Sequence, residues 1–223
     1  MAYHFDFGSI LDYTPVLIKG IAITIELIAI GAVIGVGVGI VCAWARSFGP
    51  KWLRPPVSAY VELIRNTPFL VQLFFIFFGL PSLGIKLTEM QGAIIAMVVN
   101  LGAYSTEIIR AGIQATPRGL IEAGASLAMT PLQVFRYVIL KPALQRIWPA
   151  LSSQIVIVML GSAVCSQIAV EELTFAANFI QSRNFRAFET YFIVTGIYLL
   201  LSILLRQVLR SLGWWLFTKK VAR

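Results

Sequence analysis

The segment GIAITIELIAIGAVIGVGVGIVCAWA, residues 20–45, decides the fold class of this chain. Its only charged residue is Glu26. A helix needs about 20 mostly apolar residues to cross the hydrocarbon core of a bilayer. The segment is therefore predicted to be a membrane-spanning helix, because only helices and closed barrels satisfy their backbone hydrogen bonds in lipid.

The rest of the chain has the same apolar character. Of its 223 residues 58% are hydrophobic and 13% are charged, whereas soluble domains carry about 25% charged residues. Four more segments are long and apolar enough to span a bilayer, and the alternating ten-residue segments of barrels are absent. The sequence thus predicts an all-α membrane protein, a single domain over residues 1–223 with five transmembrane helices, at about 20–45, 56–80, 90–109, 147–170 and 191–213.

The distribution of Lys and Arg predicts the orientation of the chain. With the N-terminus outside and the C-terminus in the cytoplasm, 14 of the 18 basic residues lie on the cytoplasmic side. The other four, Lys19, Lys86, Arg183 and Arg186, lie outside. Cytoplasmic loops are enriched in Lys and Arg, so this orientation is expected. The net charge of +8 is spread between apolar segments and forms no nucleic-acid-binding patch.

The longest polar segment, residues 110–146, is expected on the cytoplasmic side. Thr130 and Pro131 together form a helix start, a hydroxyl cap followed by proline at the first helical position. The preceding stretch LIEAGASLAM, residues 120–129, is rich in Ala and Gly and predicts a short helix. Two short helices of this kind suit the docking of another protein, or alternatively lie on the bilayer surface as an amphipathic segment.

The second span begins with two charged residues and then breaks. Glu62 and Arg65 are three positions apart and are predicted to form a structural ion pair. Asn66 and Thr67 precede Pro68, which removes a backbone donor and interrupts the helix. The broken turn, with Gln72 beyond it, is a candidate part of a solute path.

Further polar residues fall inside the third and fourth spans. Asn100, Tyr104 and Glu107 lie near one face of the third span, and Gln154 lies in the fourth. Such residues could supply hydrogen-bond donors, acceptors and one carboxylate to a polar solute. The alternative is that they form hydrogen bonds between helices.

The sequence lacks the motifs of an enzyme. No G-x-x-x-x-G-K-[ST] phosphate-binding motif is present, and His4 is the only histidine. Neither a Ser-His-Asp triad nor a metal site is therefore expected, and we predict that the chain is not an enzyme and holds no cofactor.

Four segments resemble a known family. EAGASLAM, residues 122–129, with Pro142-Ala143-Leu144 after it, resembles the cytoplasmic signature loop of the membrane subunits of ABC importers. ELIRNTPFLVQLFF, AYSTEIIRAGIQATPRG and VEELTFAA resemble the polar amino acid permeases of that family. The resemblance runs from the first span to the fifth, nearly the whole chain, and these segments agree with the family in order and spacing.

The resemblance implies the fold of a type I ABC importer and a set of partners. The chain would be a permease subunit that forms half of the membrane path for a polar amino acid. A homodimer of cytoplasmic ATPases would bind ATP and Mg²⁺, and an external or periplasmic binding protein would deliver the substrate. The residues that would couple the permease to the ATPase are Glu122, Ala123, Gly124, Ala128, Thr130 and Pro131.

The chain departs from the family pattern at several positions. Gly124 stands where the family usually has alanine, and Ala128 where it has the glycine of the turn. LGSAV, residues 160–164, replaces a polar Lys-Asp-Thr-Ser-Leu run. Because this subunit lacks that polar run, a heterodimer with a second permease is expected.

Two other functions remain open from the residues. An ion-coupled secondary transporter would need matched broken spans in two repeats, and only one break is evident, at Asn66-Thr67-Pro68. A non-transporting scaffold would have no need of the Ala- and Gly-rich segment in the cytoplasmic loop.

Overall fold

The computed structural model describes residues 5–217, and these are almost entirely helical, with no β-strand among them. Eleven α-helices follow one another in this part of the chain: α1 (Gly8–Leu11), α2 (Thr14–Ser47), α3 (Arg54–Arg65), α4 (Phe69–Phe74), α5 (Leu80–Ser82), α6 (Glu89–Gln114), α7 (Arg118–Ser126), α8 (Pro131–Gln133), α9 (Leu140–Gly161), α10 (Leu173–Asn184) and α11 (Ala187–Phe217). Short π-helical and 3₁₀ segments join several of them: Lys51–Leu53, Phe75–Gly79, Val134–Ile139 and Ser162–Ile168.

Four helical segments are long and apolar enough to cross a membrane. They are Thr14–Ser47, Glu89–Gln114, Pro131–Ile168 and Ala187–Phe217. A fifth span forms if the bent pair Lys51–Arg65 and Phe69–Ser82 is counted as one. The prediction of an all-α membrane protein is thus confirmed, with four candidate spans, or five if the bent pair is counted as one.

The second span, predicted for residues 56–80 with a break at Asn66-Thr67-Pro68, is interrupted at those residues. The chain bends by 114° between Lys51–Arg65 and Phe69–Ser82. Asn66 and Thr67 direct their side chains back to the last turn of α3: the Asn66 amide donates to the Glu62 carbonyl at 2.7 Å, and the Thr67 hydroxyl to the Leu63 carbonyl at 2.8 Å. Pro68 cannot donate a backbone hydrogen bond, so the helix stops here and restarts at Phe69.

The helix that contains the predicted fourth span, residues 147–170, begins earlier than that span. A helix does begin at Pro131, but it continues without interruption through residue 168 instead of ending before a separate span at 147. A π-helical turn at Val134–Ile139 carries the chain from α8 into α9, and Pro149 is accommodated inside α9. The fourth span and the second loop helix are therefore one element.

Helix α10 was not predicted. It lies between the fourth and fifth spans, and Glu172 caps its N-terminus by accepting a hydrogen bond from the Phe175 amide at 2.9 Å. The remaining spans are longer than predicted: α2, α6 and α11 each extend past both ends of the apolar segments that indicated them.

The described residues divide into two compact units. The first comprises 5–31, 69–97 and 156–205, and the second comprises 32–68, 98–155 and 206–217. In the first unit, Leu173, Ala177 and Ile180 of α10 pack with Ile10 and Leu17. The single domain predicted over residues 1–223 stays a prediction, and residues 1–4 and 218–223, with both termini used in the orientation, lie outside the described part.

In the second unit, glycines allow α2 and α6 to approach closely. A Cβ atom added at Gly39 would lie 2.4 Å from the Ser105 Cβ, and one at Gly35 would lie 3.0 Å from the Leu101 Cβ. Neither position has space for a side chain. Trp148 of α9 packs against α11 in the same unit, where its indole N–H donates to the Leu209 carbonyl at 2.8 Å.

Candidate functional site

Helix α7 (Arg118–Ser126) lies in the middle of the predicted coupling segment. Pro117 precedes it in an extended conformation, with φ −56° and ψ 134°, so the chain turns sharply after α6. Gly124 is the only fully buried residue of the helix. Glu122 and Ala123, which were predicted to contact an ATPase, are exposed on its other side.

The chain reverses direction after α7 through a residue in the left-handed conformation. Ala128 has φ +54°, and the Met129 amide donates to the Gly124 carbonyl at 3.2 Å across the turn. A left-handed residue after a helix is usually glycine, since a Cβ atom is unfavourable there. Alanine therefore makes the turn that glycine makes in the family pattern, with some backbone strain.

The next helix begins with a complete capping box. The Gln133 amide donates to the Thr130 hydroxyl at 3.4 Å, and the Thr130 amide donates to the Gln133 side-chain oxygen at 2.8 Å. Pro131 occupies the first turn, where a missing amide hydrogen costs nothing. The start predicted at Thr130 and Pro131 is therefore confirmed as a helix start.

The exposed side of this segment is apolar around one carboxylate. Leu120, Leu127 and Leu132 are exposed, with Leu127 at 76% of its possible area. Glu122 lies among them in α7 and takes part in no ion pair within residues 5–217. We call Leu120, Glu122, Ala123, Leu127 and Leu132 the coupling surface. Its apolar residues around a single charge are typical of a surface that binds a protein partner.

The opposite side of the segment packs against the hydrophobic core of the second unit. Val134, Phe135 and Ile139 are buried together with Ile109 and Ile113 of α6. Gly124 fits against this cluster so closely that a Cβ atom there would lie 2.9 Å from the Val134 Cγ2. Helix α7 is thus packed directly onto the first turns of the helix that becomes the fourth span.

The carboxylate of Glu107 forms ion pairs with two arginines. Arg46 of α2 donates to its Oε1 at 2.8 Å, and Arg110 of α6 contacts both carboxylate oxygens at 2.9 Å. All three side chains are at most one-third exposed. A carboxylate already bound to two guanidinium groups is a weak candidate for a substrate ammonium, so this arrangement favours a structural role for Glu107.

The ion pair predicted between Glu62 and Arg65 does not form. Both side chains are exposed, and none of the ion pairs among residues 5–217 joins them. The Arg65 guanidinium instead lies over the ring of Tyr104, 5.6 Å from its centroid. A cation over an aromatic ring is an alternative partner of comparable strength to an exposed ion pair.

The other candidate path residues lie at separate places along the chain. In the second unit, Asn66 and Thr67 bond to the backbone of α3, Asn100 is buried in α6, and Gln154 is half-buried in α9. In the first unit, Gln72 is buried in α4. Their role in a solute path stays a prediction.

Sequence reasoning missed a buried polar group in the first unit. Glu172 has no exposed area, and its carboxylate accepts hydrogen bonds from the Tyr198 hydroxyl at 2.6 Å and the Phe175 amide at 2.9 Å. Burial raises the pKa of this carboxyl above its ordinary value, although these hydrogen bonds oppose the shift. Nearby, the exposed pair Lys19 and Glu171 forms an ion pair. The segment VEELTFAA was singled out only as a resemblance, and Tyr198 lies 26 positions further along the chain.

Comparison with known proteins identifies the family. Residues 35–212 match the family described as the inner membrane component of binding-protein-dependent transport systems. The chain belongs to this family. It is a transport permease subunit, and the coupling surface described above lies within the matched residues.

Characterised relatives carry amino acid permease names. The chain is 34% identical to the glutamine transport system permease protein of Escherichia coli K12, over 93% of this chain and 96% of that protein. It is 38% identical to the L-cystine transport system permease protein of Bacillus subtilis 168, over 78% of this chain and 74% of that one.

Solved structures agree with the fold. A crystal structure described as an amino acid ABC transporter with histidines is 37% identical and has a TM-score of 0.84, covering 95% of this chain and 99% of that one. An inward-facing methionine ABC transporter, at 23% identity, has a TM-score of 0.74 over 92% of this chain and 98% of that chain. The second likeness supports the fold alone. The fold is that of the membrane subunit of an ABC importer.

Proposed function

We propose that this permease forms half of the membrane path for a polar amino acid in an ATP-driven ABC importer. The names of the relatives, which include glutamine and cystine permeases, support the class of substrate. The chain would lie in the cytoplasmic membrane of a bacterium, with its N-terminus outside and α7 in the cytoplasm. ATP and Mg²⁺ would be bound by a separate ATPase homodimer, and this chain would hold no cofactor.

The coupling surface, on α7 and the start of α8, is the observation that carries this proposal. It offers an unpaired carboxylate and three exposed leucines to a partner, while its reverse side rests on Val134 and the core that continues into the fourth span. Movement of a bound ATPase would therefore be transmitted to a membrane helix through direct contact. A scaffold would not need a surface that is joined to a span in this way.

An ABC importer of this kind needs further partners. A single path between two permeases requires a second permease subunit, and the replacement of the polar run by LGSAV at residues 160–164 favours a heterodimer. An external binding protein would deliver the amino acid. Membrane lipid surrounds the spans, and no nucleic acid is involved.

Retention of the ATPase by the purified permease tests the proposal. Glu122→Arg reverses the single charge of the coupling surface and is expected to weaken ATPase binding at least thirtyfold, since a central interface residue contributes about 2 kcal/mol or more. Glu89→Arg is the matched control, because Glu89 is also an exposed glutamate in a helix but lies in the first turn of α6. Equal binding by wild type and Glu122→Arg would refute the proposed docking site.

A further inference from the structure

The second unit contains a basic cavity that the proposed transport function does not use. Its volume is about 540 Å³, within the range of small-molecule sites. Four arginines line it, and each comes from a different helix: Arg46 from α2, Arg54 from α3, Arg110 from α6 and Arg118 from α7. Four cations at the wall of one concave space indicate an anionic ligand.

The charge of the cavity is only partly neutralised. Glu107 binds Arg46 and Arg110 and is the one carboxylate that pairs with any of the four within residues 5–217. Arg54 and Arg118 form no ion pair in that part of the chain. Four positive charges and one negative charge leave a net charge of +3 at the walls. Arg118 also opens α7, whose N-terminus has no side-chain cap, and a helix N-terminus favours a negative charge.

The position of the cavity indicates where the anion comes from. Arg46 and Arg110 lie in or near the last turns of α2 and α6, the helix ends that the predicted orientation puts at the cytoplasmic side of the membrane. This is the level of lipid headgroups. Phe48 and Ile113 add apolar walls to the arginines. Trp52, exposed to 71% and two residues before Arg54, is placed as aromatic residues are at a membrane interface.

We propose that this cavity binds the phosphate headgroup of an anionic phospholipid of the cytoplasmic leaflet. Arg54 and Arg118 would hold the phosphate, while Arg46 and Arg110 stay paired with Glu107. Basic pockets between the cytoplasmic ends of membrane helices bind such headgroups. Because the ligand would contact both α3 and α7, it would also stabilise the N-terminal end of α7. The proposal requires the helices to span a membrane but does not require the ATPase.

Native mass spectrometry of the full-length permease in detergent, without ATPase, tests this directly. The probes are phosphatidylglycerol and phosphatidylcholine, which differ in net charge, added to wild type and to the double variant Arg54→Gln with Arg118→Gln. Each arginine near an anionic headgroup contributes roughly fivefold in affinity, so the double variant is expected to lose roughly 25-fold in its preference for phosphatidylglycerol. The control is Arg136→Gln with Lys141→Gln, two exposed basic residues outside the cavity, and it should keep the preference.

Competition with inorganic phosphate separates lipid from a free anion. The proposal expects the lipid adduct to survive an excess of inorganic phosphate. Displacement by phosphate, or a preference for phosphatidylglycerol that both double variants retain, would overturn it. In a separate pull-down with the ATPase, loss of binding by the variant Arg54→Gln with Arg118→Gln, together with an unchanged lipid preference, would assign the cavity to the ATPase and would overturn the proposal as well. A thermal melt of each variant confirms that it is folded.

Discussion

Gly124 lies so close to Val134 that Gly124→Ala should lower the stability of the wild-type protein. The same substitution should raise stability when Val134 is replaced by alanine. A Cβ atom at position 124 would lie 2.9 Å from the Val134 Cγ2, closer than side chains pack. Overpacking of this kind costs about 1–3 kcal/mol, while replacing glycine by alanine in a helix gains about 0.5–1 kcal/mol. Gly124→Ala is therefore expected to lower the free energy of unfolding by about 1 kcal/mol.

Removing the Val134 methyl groups should reverse that effect. Val134→Ala alone deletes two buried methyl groups and is expected to cost about 2 kcal/mol. In that background the new Cβ atom has space, so Gly124→Ala should stabilise by about 1 kcal/mol. The coupling energy of the double-mutant cycle is then about 2 kcal/mol, within the range for residues in contact.

Equilibrium unfolding in mixed micelles of dodecyl sulfate measures all four proteins of the cycle. Gly119→Ala is the matched control, since Gly119 lies in the same helix with nothing within 4 Å of an added Cβ atom. It should stabilise in both backgrounds. If Gly124→Ala behaves like Gly119→Ala in the wild-type background, or if the two substitutions add without coupling, α7 is not packed on the fourth span as described.

The same unfolding assay tests three further predictions. Ala128→Gly should stabilise by about 1 kcal/mol, because φ +54° is unfavourable for a residue with a Cβ atom; a destabilised variant would contradict this. Glu107→Gln should destabilise by about 2 kcal/mol, because it leaves Arg46 without its carboxylate, whereas Glu89→Gln should have little effect; equal effects would refute a structural role for Glu107. Burial raises the pKa of Glu172, so its contribution to stability is fully present below the unfolded pKa of about 4.3 and is lost as the pH rises through the raised value. Glu172→Gln should flatten that part of the pH profile, and an unchanged profile would refute the assignment.

The helical spans could be predicted because span length and apolar composition are properties of contiguous sequence. Residues 20–45 indicated α2, and the hydroxyl and proline at positions 130 and 131 fixed the start of α8. The break at Pro68 was visible as well. The sequence did not reveal that the chain would bend there by 114°, since a bend depends on what each half packs against.

The candidate site was predictable only in part, because its partners are distant in the chain. Arg46 and Glu107 are 61 positions apart, and nothing near either one identifies the other. The spacing of Glu62 and Arg65 suggested an ion pair, but Tyr104 of α6 offers Arg65 another partner. Helix α10 was missed because its 12 residues are too few to resemble a span, and its burial depends on α1 and α2.

ATP-dependent uptake by the assembled importer tests the central claim, that α7 couples an ATPase to the membrane path. Proteoliposomes containing the permeases and the ATPase would be supplied with binding protein and a labelled amino acid, with ATP enclosed. We expect uptake with Glu122→Arg to fall to the level seen without ATP, while Glu89→Arg transports like wild type. Unchanged uptake with folded Glu122→Arg would contradict the account and place the coupling site elsewhere.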